Sequence, residues 1–304
     1  MSKKFQSGFV SLVGRPNTGK STLLNALVGQ KVAIVADKPQ TTRTSIQGVL
    51  TMPEAQIVFV DTPGIHKADS PLNKRLMDTV RASLEERDLL LYLVDAARAF
   101  GIEDRRALDT AIKTSTPVVL VLNKVDLLHD KGVLLPLIER YRALHDFAAY
   151  VPVSATKRTG LEDLRKVILE HLPEGPAYFP EDYVTDQPER FLAAELVREK
   201  VLLATRQEVP HSVAVMVDRW EETPGLTRIY ATIRVERPGQ KAIVIGKKGA
   251  MLARIGTLAR TEMEKLFGVK IYLDLHVKLQ PGWREEAAFL NTLDWRTMAV
   301  KDDS

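Results

Sequence analysis

The chain has 304 residues, with 43 Lys/Arg against 39 Asp/Glu, a formal net charge of +4 and no cysteine. This length suggests two domains, each able to bury its own core, and the absence of thiols excludes disulfides and thiolate metal centres. The histidines stand singly without ligand spacing, no apolar run reaches membrane-spanning length and no secretory signal opens the chain, so a cytoplasmic protein is expected.

The first apolar run, 9–13, has strand length and leads into Gly14, Arg15, Pro16, Asn17, Thr18, Gly19, Lys20 and Ser21. These fit Gly-x4-Gly-Lys-Ser/Thr, in which backbone N–H groups wrap phosphates, the lysine neutralises them and the hydroxyl reaches a magnesium ion. Thr22 follows and opens a helix over 22–28, whose N-terminus would point at the phosphates. The alternative is a glycine-rich turn that binds nothing. Residues 31–44 read as a polar loop around Pro39, Gln40, Thr41, Thr42 and Arg43. Thr42 is the candidate to complete a magnesium shell, with a plain polar loop as the competing reading.

A buried strand over 56–60 runs into Asp61, Thr62, Pro63 and Gly64. A carboxylate at the carboxyl end of a strand can hold magnesium, and the glycine N–H can meet a terminal phosphate. The pattern then alternates: helix 73–86, strand 89–94, helix 104–113 and strand 117–122, ending in Asn123, Lys124, Val125 and Asp126. The Asp126 carboxylate can accept from N1–H and the 2-amino group of guanine, a pairing that adenine does not offer. Helix 134–144, strand 150–153, a turn at Ser154, Ala155 and Thr156, and helix 161–171 complete the first half. Strands alternating with helices imply an α/β, doubly wound, mostly parallel sheet with ligands at the strand carboxyl ends.

In order and spacing, 14–21, Thr41 and Thr42, 61–64, 123–126 and 154–156 resemble the five nucleotide motifs of the translation-factor-related GTPases. The Arg-Pro-Asn inside the phosphate loop is similar to the subgroup that contains the Era and Der proteins. The resemblance implies GTP and GDP as ligands and Mg2+ held by Ser21, Thr42 and Asp61, with Lys20, Asn17, Thr42 and Gly64 serving catalysis. Ile65 stands where Ras-like enzymes carry the glutamine that orients the attacking water, and an isoleucine side chain has no group for that task. In relatives with this substitution, the residue corresponding to Asn17 helps place a potassium ion (K+) beside the phosphates. Asn17 as a turn residue that stabilises its own loop is the equal alternative.

The Pro-, Gly- and acid-rich stretch 173–183 is the best domain boundary, which gives a GTPase domain over 1–173, a linker over 174–188 and a second domain over 189–304. The second half reads as helix 189–204, strands 211–220 and 227–235, a helix beginning near Gly239, helix 251–267 and strand 270–277. Ten Lys/Arg against three Asp/Glu fall between 237 and 284, so a nucleic-acid partner is expected there, against the alternative of a solvated basic face. At its centre, Ile245, Gly246, Lys247, Lys248 and Gly249 place two glycines around two lysines. This resembles the Gly-x-x-Gly loop of a KH domain, which clamps about four nucleotides. The element order is similar to the bacterial, type II, α+β form of that domain. In the tail, Trp283 and Trp295 read as packing or as RNA contacts, with packing favoured for Trp295.

One GTPase unit of this subgroup joined to one C-terminal KH domain resembles the Era family over nearly the whole chain. Der-like proteins carry two GTPase units. The Era resemblance implies binding near the 3′ end of 16S ribosomal RNA, work in assembly of the 30S ribosomal subunit and loose, peripheral association with the cytoplasmic membrane. An oligomer is not among its implications. Two other classes stand beside it. One is a small-molecule phosphotransferase, which needs an acceptor pocket and base. The other is an RNA-binding module whose nucleotide domain is structural.

Overall fold

The computed structural model describes residues 4–38, 40–65, 70–205, 209 and 212–295, and the chain divides into two compact units. Pro39, His211 and the tail beyond Trp295 lie outside the described residues.

The first unit takes the described residues of 1–33, 42–69 and 73–186. Its elements are β1 Gln6–Val13, α1 Lys20–Val28, β2 Ile46–Met52, β3 Ala55–Asp61, α2 Pro71–Ala82, β4 Leu89–Asp95, α3 Ile102–Ala111, β5 Val118–Asn123, α4 Leu134–Arg142, β6 Ala149–Pro152 and α5 Leu161–His171. The six strands lie in the order β2-β3-β1-β4-β5-β6. All neighbours are parallel except the edge pair β2 and β3.

Helices cover both faces, so the central strands are apolar without alternation. Along β4, Leu89, Leu91 and Leu93 join the core under α1 and α5, while Leu90, Tyr92 and Val94 join the one under α2, α3 and α4. The edge strand β2 is absent from the sequence reading. Its apolar positions do not alternate, and Gly48 interrupts them because a Cβ there would sit 2.9 Å from the Leu24 side chain. The stretch expected as a linker is tied to this unit as far as Asp186. Gln56 exchanges hydrogen bonds with the backbone of Tyr178 and Phe179, and the Val49 N–H donates to the Val184 carbonyl at 2.8 Å.

The second unit takes the described residues of 187–304 with those of the short segments 34–41 and 70–72. Its elements are α6 Glu189–Ala204, β7 Ala214–Thr223, β8 Leu226–Val235, α7 Pro238–Ile245, α8 Ala250–Phe267, β9 Lys270–Leu279 and α9 Ala287–Thr292. The three strands lie in the order β7-β8-β9, antiparallel then parallel. Ile229, Ala231 and Ile233 of β8 are fully buried in one apolar cluster with Val197 and Val201 of α6 and Ile255, Ala259 and Met263 of α8.

The tail resolves the role of Trp283, which is fully buried. Its indole N–H donates to the Ser212 carbonyl at 3.1 Å, and its ring meets Phe289 edge-on at 5.6 Å. Trp295 is half-buried.

Candidate functional site

Strand β1 delivers the chain to Gly14, where φ is +151° and a Cβ would stand 2.4 Å from the Leu93 carbonyl oxygen. Only glycine lets the loop leave the sheet this close to β4. The loop ends at Gly19, the left-handed N-cap of α1, which has no acidic residue in its first turn. Its free N–H groups are thus available to an anion. Pro16 and Thr22 are half-buried at the rim of this loop, and Thr18 is buried, its hydroxyl donating to the Arg15 carbonyl.

Lys20 is buried and its Nζ donates to the carbonyls of Gly14 and Arg15 at 3.3 and 3.1 Å. Burial lowers its pKa to about 8, with the Asp61 carboxylate opposing that shift and Arg15 adding to it. Beside it, Ser21 Oγ lies 2.6 Å from Asp61 Oδ2 and 2.8 Å from Thr42 Oγ1, and Thr42 Oγ1 donates to Asp61 Oδ2 at 3.3 Å. Burial pushes the Asp61 pKa up, against the favourable field of Lys20 and the hydroxyl hydrogen bonds. The other oxygen, Asp61 Oδ1, is buried with no hydrogen-bond partner among the described residues. A buried carboxylate oxygen without a partner is costly. One carboxylate and two hydroxyls, all hard oxygen donors, suit magnesium. The three residues expected to hold Mg2+ therefore converge in this structure.

Thr62 donates to the Leu12 carbonyl at 2.8 Å, which pins the strand end. Pro63 and Gly64 pass under the loop so closely that a Cβ on Gly64 would stand 2.7 Å from Pro16 Cα. Ile65 donates its N–H to the Gly14 carbonyl and is buried in the apolar cluster with Val13 and Met77. Its side chain belongs to the core.

The residues expected to read the base are held by mutual hydrogen bonds. Asn123 Nδ2 donates to the Thr18 carbonyl at 2.8 Å and its Oδ1 accepts from the Ala155 N–H at 3.1 Å, which links three loops. Lys124, at φ 66°, donates from Nζ to the Asn17 carbonyl at 2.7 Å and pairs with Asp95 Oδ2 at 2.9 Å. Asp126 is exposed, and Ser154 Oγ donates to its Oδ1 at 2.5 Å, leaving acceptor capacity toward solvent.

Two residues emerge only in three dimensions. Asp95, at the end of β4, faces Asn123 across the β4–β5 register and carries the Lys124 ammonium. Asp104, in the first turn of α3, holds Arg15 through an Nε to Oδ1 contact of 2.7 Å between two nearly buried side chains. Asp104 also caps α3 by accepting from the Gly101 N–H, and the Tyr92 hydroxyl donates to its carbonyl. Of Arg15, only the backbone is left for a nucleotide. Asp104→Ala would strand a buried guanidinium and is expected to cost about 3 to 5 kcal/mol of stability, whereas Arg15→Met with Asp104→Leu should recover most of it. Denaturant unfolding checks this, and a single-mutant loss below about 1 kcal/mol would remove the pair from the loop's support.

In the second unit, α7 ends at Gly246 (φ 71°), the turn of Lys247 and Lys248 follows, and α8 starts after Gly249 (φ 81°). A Cβ on Gly246 would stand 2.6 Å from Met251 Cβ, and both lysines are exposed. Ile245 is half-buried behind them. The loop opens onto a cleft of about 900 Å3 between α8 and β9, lined by Gly249, Leu252, Gly256, Arg260, Tyr272 and Leu275 among others. The residue pattern points to the loop but not to this wall. The small Gly256, facing Leu275, is its one legible sign. Its lining joins the apolar side chains of Leu252, Ile271, Leu273 and Leu275 to the cations Arg260 and Lys270. Among the described residues, no three His, Cys, Asp or Glu side chains form a metal cluster, and no helix is long and apolar enough to cross a membrane.

Comparison with known proteins matches each unit to a family. The family described as "50S ribosome-binding GTPase" matches residues 9–124, and the family described as "KH domain" matches 208–284. A protein named GTPase Era from Geobacter metallireducens is 49% identical over 96% of this chain and 98% of its own length. Another from a Nostoc species is 48% identical over 96% and 90%. A variant of Aquifex aeolicus Era bound to GDP·AlF4− superposes with a TM-score of 0.92 at 41% identity, covering 96% of this chain and 99% of its own. Era in complex with MgGDPNP and nucleotides 1506–1542 of 16S ribosomal RNA gives 0.93 at the same identity, with coverage of 96% and 99%. With two families in the order of its two units and relatives near half identity along nearly its whole length, the chain belongs to the GTPase Era family.

Proposed function

We propose that the protein binds and hydrolyses GTP and, through its KH cleft, binds 16S ribosomal RNA near its 3′ end in the assembly of the 30S subunit. The observation that carries this reading is one chain bearing both a phosphate-loop site and a Gly-Lys-Lys-Gly loop beside a cleft, together with its likeness to an Era structure solved with MgGDPNP and nucleotides 1506–1542 of 16S ribosomal RNA. In this reading the protein works in the cytoplasm, and any membrane association is peripheral.

Each residue's part follows from its place. The N–H groups at the start of α1 and the Lys20 ammonium bind the phosphates and offset the charge that develops during transfer. Ser21, Thr42 and Asp61 would hold Mg2+, which would supply positive charge against the phosphates. Gly64 packs against Pro16 of the phosphate loop, and its N–H would meet a terminal phosphate. Asp126 reads guanine, oriented by Ser154, while Asn123 and Lys124 lock the loops that frame the base. Because Ile65 is in the core, water must be ordered by other groups. Asn17 stands at φ 64° with its carbonyl accepting from Lys124 Nζ, which fits a turn residue, and in the other reading its amide would serve the phosphates or a K+ ion.

The test is titration with a single-stranded oligonucleotide of the 16S 3′ end. Replacing Lys247 and Lys248 together by Asp should abolish binding in the intact protein and leave GTP turnover without RNA within about twofold. The parent's affinity should fall with salt, with a slope of about −0.7 per phosphate contact in the log–log plot. Undiminished RNA binding by the double variant would overturn the assignment of the cleft.

A further inference from the structure

The sheet of the second unit has two faces. Ile229, Ala231 and Ile233 pack under α6 and α8, so the alternate positions Arg228, Tyr230, Thr232 and Arg234 of β8 point the other way. The pairing places Arg219 of β7 beside Tyr230, and Tyr272 and Asp274 of β9 beside Arg228 and Tyr230. Near α9 this outer face is closed, with Arg234 over the Phe289 ring at 5.4 Å and Thr232 bonded to Asp218. Toward the turn between β7 and β8 it is open.

There three planar groups form a row across the three strands. The Arg219 guanidinium lies 5.5 Å from the Tyr230 ring centroid, and Tyr230 lies 6.0 Å from Tyr272, which is 49% exposed. The acids on this face are already engaged: Glu221 pairs with Arg219, Asp274 with His276 at 3.5 Å, and Asp218 with Thr232. Arg228 and Lys270 make no ion pair among the described residues. Lys270 and Tyr272 line the cleft as well as this face, so the two surfaces are continuous around the edge of β9.

We propose that this row is a stacking platform for single-stranded RNA leaving the cleft. Bases stack on Tyr272 and the Arg219 plane, Tyr230 braces both, and Arg228 with Lys270 holds the phosphates. Aromatic and guanidinium planes beside unpaired cations are the chemistry that takes unpaired bases. The cleft loop accounts for about four nucleotides, and the platform lengthens the site beyond them. The proposal rests on the cleft being an RNA site.

The experiment compares two oligonucleotides of the 16S 3′ end, four and ten nucleotides long, on the intact protein. Tyr230→Ala is the main variant because Tyr230 lies outside the cleft wall. It should weaken the ten-mer by about 5- to 150-fold, the range for loss of one stacked base, and leave the four-mer unchanged. Tyr230→Phe, which keeps the ring, should restore ten-mer binding. Arg228→Ala, a surface change that spares the core if Tyr230→Ala disturbs folding, should flatten the ten-mer's salt slope by about 0.7. Unchanged ten-mer affinity in Tyr230→Ala and Arg228→Ala, or equal losses for both lengths, would overturn the platform. Four-mer binding that survives the Lys247 and Lys248 to Asp change would instead remove the cleft reading, and the platform with it.

Discussion

Replacing Lys20 by alanine is expected to lower GTP turnover by at least about 100-fold, the scale seen when one preorganised donor is taken from a developing negative charge. In the free protein the ammonium is buried against two loop carbonyls, and burial holds its pKa near 8. That position is unfavourable for a charge until phosphates arrive, so its charge serves the ligand. Its partners are loop carbonyls rather than core groups, so the fold should survive, with an unaltered circular dichroism spectrum. The stabilisation that excess GTP gives the parent, about 2.7 kcal/mol at 100 times Kd, should disappear. Turnover equal to the parent's in a folded variant would show that phosphate is not bound at the loop.

Asp126→Asn is expected to reverse base preference, lowering GTP affinity by about 10⁴-fold and making xanthosine triphosphate the better ligand. The carboxylate accepts from the guanine 2-amino group, and an asparagine amide instead donates to the oxygen that xanthine carries there. The Ser154 hydroxyl, 2.5 Å from Asp126 Oδ1, can turn to donate to the amide oxygen, so the side chain should keep its orientation. Competition between the two triphosphates for parent and variant measures this. Retained GTP preference in the variant would take Asp126 out of base reading.

Much of the nucleotide site was legible because its residues are local in sequence. A loop of backbone N–H groups needs glycines at fixed intervals, and a strand end needs its acid at the next position, so spacing alone carried Gly14 to Ser21, Asp61 to Gly64 and Asn123 to Asp126. The buried strands were legible for the same reason: β4 and β5, covered on both faces, are continuous apolar runs. Edge strand β2 was missed because it is half exposed and broken by Gly48, whose reason is the Leu24 side chain of α1. The Gly246 to Gly249 loop was visible through its two glycines, but the wall of its cleft was not, since Leu252, Gly256 and Tyr272 look like ordinary helix and strand positions.

By itself, the sequence determined the motif order, the change from one α/β unit to an α+β unit, and the residue types that can meet phosphate, guanine and RNA. These depend on periods and spacings within a few residues, and the backbone reads those directly. Only the tertiary structure decided that Arg15 turns to Asp104, that Asp95 carries Lys124, that Ile65 enters the core, and that Arg219, Tyr230 and Tyr272 stand in one row. Each is a pairing of residues distant in the chain or a choice between two faces, fixed when burial makes one arrangement of charges and apolar groups far less costly than the rest.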